Sequence, residues 1–143
     1  MTKRPSAAVG ALVVALALTA VAVAAVAPGT YKGDLYANGK KIAKAPVTIK
    51  VVGKSVTITA PRLPVQCLSP SGTYTQPGAP MKYVFKGKLN GNKVGGTYVN
   101  PLGGTGEYFK ASGSFAPATK TFTGKLSFVG RCKGTATAKA KKI

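Results

Sequence analysis

Histidine and tryptophan are missing from this chain of 143 residues, and acids nearly so: Asp34 and Glu107 stand alone against 21 lysines and arginines. Each scarcity removes a class of chemistry. Without histidine the Ser/His and Cys/His nucleophile arrangements cannot form, and a zinc site loses its commonest nitrogen ligand. A paired-carboxylate mechanism would have to join Asp34 to Glu107, yet both have plain structural explanations. Asp34 falls on the polar face of a strand beside lysines, and Glu107 opens a strand after a glycine-rich loop. The expectation is a protein that is not an enzyme and holds no cofactor or metal.

Cysteine is nearly as scarce. Cys67 and Cys132 are the only two, and their separation rules out the C-x-x-C spacing of a redox-active pair. In an exported protein such a pair reads as one structural disulfide.

Export is what the N-terminus implies. "MTKRPSAAVGALVVALALTAVAVAAVAPG" places Lys3 and Arg4 before an uncharged run from Ala7 to Ala27 that holds several Ala-x-Ala triplets, the layout of a secretory leader. Proline is poorly accepted directly after a cut, which disfavours cleavage between Ala27 and Pro28 and points to the triplet ending at Ala24. Residues 1–24 are therefore read as a signal peptide and 25–143 as one domain. An uncleaved membrane anchor reaching Ala27 is the alternative, since the run is long enough to span a bilayer; its alanine content makes it weakly apolar and favours the cleaved form. Either way the domain is placed outside the cytoplasm, extracellular or in the cell envelope.

What the chain has in quantity is alternation. From Phe122 to Ala140 the even positions are apolar or small and the odd ones polar, with Val129 the exception. A half-buried strand keeps such a pattern and a disordered basic arm does not. The ending "VGRCKGTATAKAKKI" is thus expected to be a closing strand that frays over its last few residues. Upstream, a loop at Gly53-Lys54 sets Val51 opposite Val56 and Ile49 opposite Ile58, with Thr48, Lys50, Thr57 and Thr59 on the other face. Asn38-Gly39 sets Leu35 opposite Ile42, and the parity change before Val47 requires a bulge near Ala45-Pro46. A third hairpin turns at Asn90-Gly91 or Gly91-Asn92, and a fourth over Pro117 to Lys120 pairs Phe115 with Phe122. Two links, Cys67 to Pro80 and Asn100 to Glu107, read as loops. "FKGKL" at Phe85 recurs as "FTGKL" at Phe122, where glycine inside a strand marks a tight bend. The sum is an all-β fold, an antiparallel meander of about eight strands after the leader, closed as an up-and-down barrel or packed as a β-sandwich.

The opener "GTYKG", the segment "NGKKI…VTIKVVGKSV", the late "GSFAPATKTFTGKLSFVG" and the two distant cysteines resemble the small exported β domains of bacterial proteins without assigned activity. The resemblance implies fold and location; it carries no site residues.

Charge is the remaining signal. The formal net charge is +19, and removal of the leader takes away two basic residues. Such a surface attracts anionic cell-surface polymers and lipid headgroups, and nucleic acid non-specifically. Lys82, Lys86, Lys88, Lys125, Arg131 and Lys133 fall on outward faces and form the candidate polyanion-binding set. Specific base or phosphate recognition is not expected, because few arginines are present to supply the planar fork. Tyr36 and Tyr74 are candidates to stack on a ligand. Two alternatives stay open: a small apolar ligand inside the barrel, lined by Tyr31, Leu35, Tyr83, Phe85, Leu89, Tyr98, Phe115, Phe122, Leu126 and Phe128, or a purely structural domain whose lysines keep strand edges from pairing.

Overall fold

The computed structural model describes residues 24–99 and 106–143. The expected leader helix and all but the end of the link from Asn100 to Glu107 lie outside them. Among the described residues every regular element is a strand: β1 (Gly29–Ala37), β2 (Lys40–Val52), β3 (Ser55–Leu63), β4 (Gln66–Leu68), β5 (Tyr74–Pro77), β6 (Met81–Asn90), β7 (Lys93–Val99), β8 (Tyr108–Ala116), β9 (Thr121–Val129) and β10 (Cys132–Lys142).

Eight of them close a barrel. The order is β1-β2-β3-β6-β7-β8-β9-β10, and β10 returns to pair with β1, with every pairing antiparallel. That last ladder runs from Tyr31 opposite Lys142 to Tyr36 opposite Thr137, and it decides for a barrel over a sandwich. β4 and β5 stand apart from the meander, a small hairpin attached to the start of β10. The segment from Cys67 to Pro80, read as a loop, therefore holds two short strands. Their cue is weak in sequence because β4 and β5 have three and four residues, too few for a periodic pattern to register.

The hairpin registers follow the turn chemistry. Val51 lies opposite Val56 and Ile49 opposite Ile58, while Phe115 lies opposite Phe122. Asn38 and Gly39 both take positive φ, 50° and 75°, as a tight two-residue turn demands. Between Asp34 and Tyr36 the pairing with β2 shifts, so that Asp34 meets Pro46 and Tyr36 meets Lys41; the expected bulge is there. At the third hairpin Asn90 pairs with Lys93, placing the loop at Gly91-Asn92 and sparing Lys88 a like-charged partner. The last strand does not fray as expected. β10 is ordered through Lys142 because β9 and β1 flank it on both sides.

Inside, the side chains fill the barrel. Tyr31, Leu35, Tyr83, Phe85, Phe115, Phe122, Leu126 and Phe128 are buried, Leu89 and Tyr98 only partly so, and no polar or charged residue other than tyrosine is buried among the described residues. Near one end Tyr31 meets Phe115 edge-on at 5.1 Å and Phe115 meets Phe122 at 4.9 Å. Toward the other, Phe109 lies 5.2 Å from both Tyr83 and Phe128. Such tilted contacts are the favourable ones for aromatic rings.

Glycine makes the room for these rings. A Cβ at Gly124 would come within 2.6 Å of the Phe122 ring, one at Gly87 within 2.7 Å of the Phe85 ring, and one at Gly130 within 3.2 Å of the Phe128 ring. In each case a phenylalanine folds over the glycine two residues on, the next position on the same face. The "FKGKL" and "FTGKL" echo is this packing unit used twice.

Candidate functional site

All six basic residues singled out from the sequence are exposed on the outer face. The topology does not gather them into one patch. Lys82, Lys86 and Lys88 form a stripe along β6. Lys125 lies on β9, with β7 and β8 between. Arg131 and Lys133 flank Cys132 at the start of β10, beside the β4-β5 hairpin.

What joins them is a lattice that parity alone does not reveal. Lys50 sits between Thr30 on β1 and Thr57 on β3, and Thr57 in turn adjoins Lys86 on β6. Lys110 on β8 sits between Thr97 and Ser127, and Lys125 between Ser112 and Thr137. A threonine thus separates Lys50 from Lys86 in their row, and hydroxyl side chains flank Lys110 and Lys125 on both sides. Lys50 and Lys86 are two strand spacings apart, about 10 Å, close to the screening length of dilute salt. Lys32 opposite Lys141 is a direct like-charge pair. Sequence reasoning placed Lys50 and Lys139 on the outer face but missed Lys110 as part of the surface. The signal was the alternation in "YFKASGSFA", legible only once β8 is set against β9.

The two acids do not stand on neighbouring elements. Asp34 is on β1 and bonded to Lys41 at 3.0 Å, whereas Glu107 precedes β8, which neighbours neither β1 nor β2. The tyrosines considered for stacking are engaged as well. Lys133 Nζ lies 4.2 Å over the Tyr74 ring, whose hydroxyl donates to the Gly130 carbonyl at 2.8 Å, and Lys139 lies 4.8 Å over Tyr36.

Cys67 and Cys132 are bonded, as the even count predicts, and sit directly opposite each other on β4 and β10. The disulfide staples the small hairpin to the barrel's edge. Between them lies a cleft of about 660 Å³, lined by Leu68, Met81 and Phe128 on its apolar side and by Gln76, Glu107 and Arg131 on its polar side. This cleft leaves no trace in the sequence, because one of its walls is a hairpin whose strands are too short for a periodic pattern.

Fold and surface together define a small closed antiparallel β-barrel with a packed interior and a basic exterior. No protein-family model matches the chain, and neither a curated protein nor a solved structure matches it.

Proposed function

We propose that this protein is a non-catalytic exported β-barrel domain that associates with an anionic polymer or surface through its lysines. The observation that carries the reading is the set of exposed lysines on the outer face, Lys50, Lys86, Lys110 and Lys125 among them with threonine or serine as cross-strand neighbours, on a barrel with so few acids to neutralise them. Neutral hydroxyl neighbours leave these charges exposed and unpaired by acids, which suits a repeating anion better than one buried phosphate. Export accords with the leader-like N-terminus and with the disulfide. Cleavage after Ala24 would leave Val26, packed on the core, and Ala27, whose carbonyl accepts from the Tyr31 hydroxyl at 2.8 Å, within the domain.

The test is a salt titration run in parallel against DNA, an anionic wall polymer and anionic vesicles. Affinity should fall linearly with salt on logarithmic axes, and the slope should shrink by about one unit for each contacting lysine removed. Reversal of Lys86, Lys88 and Lys125 to Glu should weaken binding and leave the fold intact. Equal affinities for the three probes mean a general basic surface, and a preference names the partner class. Absence of binding at low salt defeats the reading and leaves a structural domain.

The cleft beside the disulfide supports a second reading, a site for a small molecule with an apolar body and an anionic group facing Arg131. Its volume is in the range of ligand sites. The packed aromatic rings argue against a ligand inside the barrel itself.

A further inference from the structure

The barrel wall has one weak seam. β6 has ten residues and β7 seven, yet they share two ladder pairs, Leu89 opposite Val94 and Asn90 opposite Lys93. The ladder between β7 and β8, by contrast, runs the full length of β7. Beyond its second pair β6 is tied past β7 to the next strand, where the Tyr83 hydroxyl donates to the Lys110 carbonyl of β8.

Among the described residues no further ladder pair joins the two strand edges that face each other here. The Leu89 N–H donates to the Lys54 carbonyl at 2.7 Å, on the β3 side. Backbone direction alternates along a strand, so the N–H and C=O groups of Val84, Lys86 and Lys88 point toward β7. On the other edge the Asn92 carbonyl accepts from the Phe115 N–H at 2.8 Å, toward β8, and the same alternation turns Gly95, Thr97 and Val99 toward β6. Gly95, Gly96 and Thr97 are exposed, and Val99 is 65% exposed, among the most exposed large apolar residues described.

We infer that this seam takes an extended acidic peptide as an added strand. Unpaired edges supply backbone hydrogen bonds without regard to sequence, and the flanking side chains select. Outward positions of an inserted strand meet Lys86 and Lys88 on β6 and Lys93 on β7, which calls for Asp or Glu. Gly96 on β7 is exposed and nothing lies within 4 Å of a Cβ built there, so no side chain obstructs the edge at this point. The fitting ligand is an extended segment with acidic residues on its outward face. A second copy of this chain is a poor occupant, because its edge would bring the same lysines.

The inference goes beyond general anion binding, and one substitution separates them. Thr97→Pro removes a seam-facing N–H and leaves the lysines and the ladder to β8 in place. The probe is a blocked peptide of alternating Glu and Val, with an alternating Lys and Val peptide and a Glu/Val peptide N-methylated on one edge as controls. The Glu/Val peptide should slow amide exchange at Lys86, Lys88, Gly95 and Thr97. Thr97→Pro, and N-methylation of the peptide, should each weaken its binding about tenfold while DNA binding is unchanged. Should the N-methylated or the Lys/Val peptide bind equally well, or those amides exchange as before, the inference is overturned. Protection of the same amides at high protein concentration without peptide would install a second copy and overturn it as well.

Discussion

Tyr83 shows how one residue can be held by two opposite demands. Its ring is buried against Phe109, while its hydroxyl must find an acceptor and does so at the Lys110 carbonyl. Burial disfavours the phenolate and raises the pKa of Tyr83 above its ordinary value near 10, and that of Tyr31 in the same direction. The unfolded chain releases these protons first as pH climbs. The stabilisation is therefore whole below about pH 10 and is lost as pH rises above it toward the folded-state values. Denaturant melts taken at increasing alkaline pH should show this decline, and Tyr83→Phe should flatten it. The same variant leaves the Lys110 carbonyl without this donor and should cost about 1 kcal/mol at neutral pH. An unchanged alkaline slope in Tyr83→Phe would falsify the assignment. Gly33 makes an opposite kind of demand: a Cβ there would strike the Lys139 carbonyl and lie 2.6 Å from the Ala140 Cα, both backbone atoms of β10. Gly33→Ala should lower stability by roughly 1–3 kcal/mol or more and speed exchange along the β1-β10 ladder first. Retention of wild-type stability would mean that this closure yields easily.

Among the elements, the β4-β5 hairpin is the one that the barrel does not need. The barrel closes through β1 and β10, whereas the disulfide joins residues 65 apart and fastens the hairpin alone to the start of β10. Chain entropy sets the value of such a crosslink at about 4 kcal/mol. The topology says where the loss is felt. In the Cys67→Ser, Cys132→Ser double variant, amides of β4, β5 and the start of β10 should exchange quickly, while those of β1, β8 and β9 remain protected under native conditions. Uniform loss of protection across the barrel would show that the staple holds the whole fold. The elements also explain the glycines better than curvature does. Gly113 lies opposite Gly124, and the Phe122 ring covers both, so a pair without side chains is sealed by a ring from the adjoining position.

For the whole molecule, self-repulsion is the dominant electrostatic fact. Asp34 holds Lys41 at 3.0 Å, and with two acids in the entire chain little else offsets the lysines. Such a net charge weakens the compact state at low ionic strength. The melting temperature should consequently rise between a few millimolar salt and about 0.15 M, where the screening length is about 8 Å. A melting temperature that falls over this range would mean that attractive pairs outweigh repulsion, contrary to the charge count. A polyanion should have the same stabilising effect as salt at far lower concentration, provided that it binds the folded barrel.

The sequence by itself determined the strands of the eight-stranded meander, their faces and most of their registers, because these depend on neighbours two residues apart and on short turns. Asn38-Gly39 and the Val51/Val56 and Phe115/Phe122 pairings needed nothing more distant. It also determined the net charge and the outward direction of most lysines, Lys110 excepted. Tertiary structure alone decided that β1 and β10 meet, since closure joins residues from opposite ends of the chain that no local pattern relates. It likewise decided which lysines share a row, for a row is drawn across strands. The cleft and the open seam between β6 and β7 belong to the same category: one depends on where a small hairpin is pinned and the other on where a ladder stops, and neither leaves a periodic trace in the order of the residues.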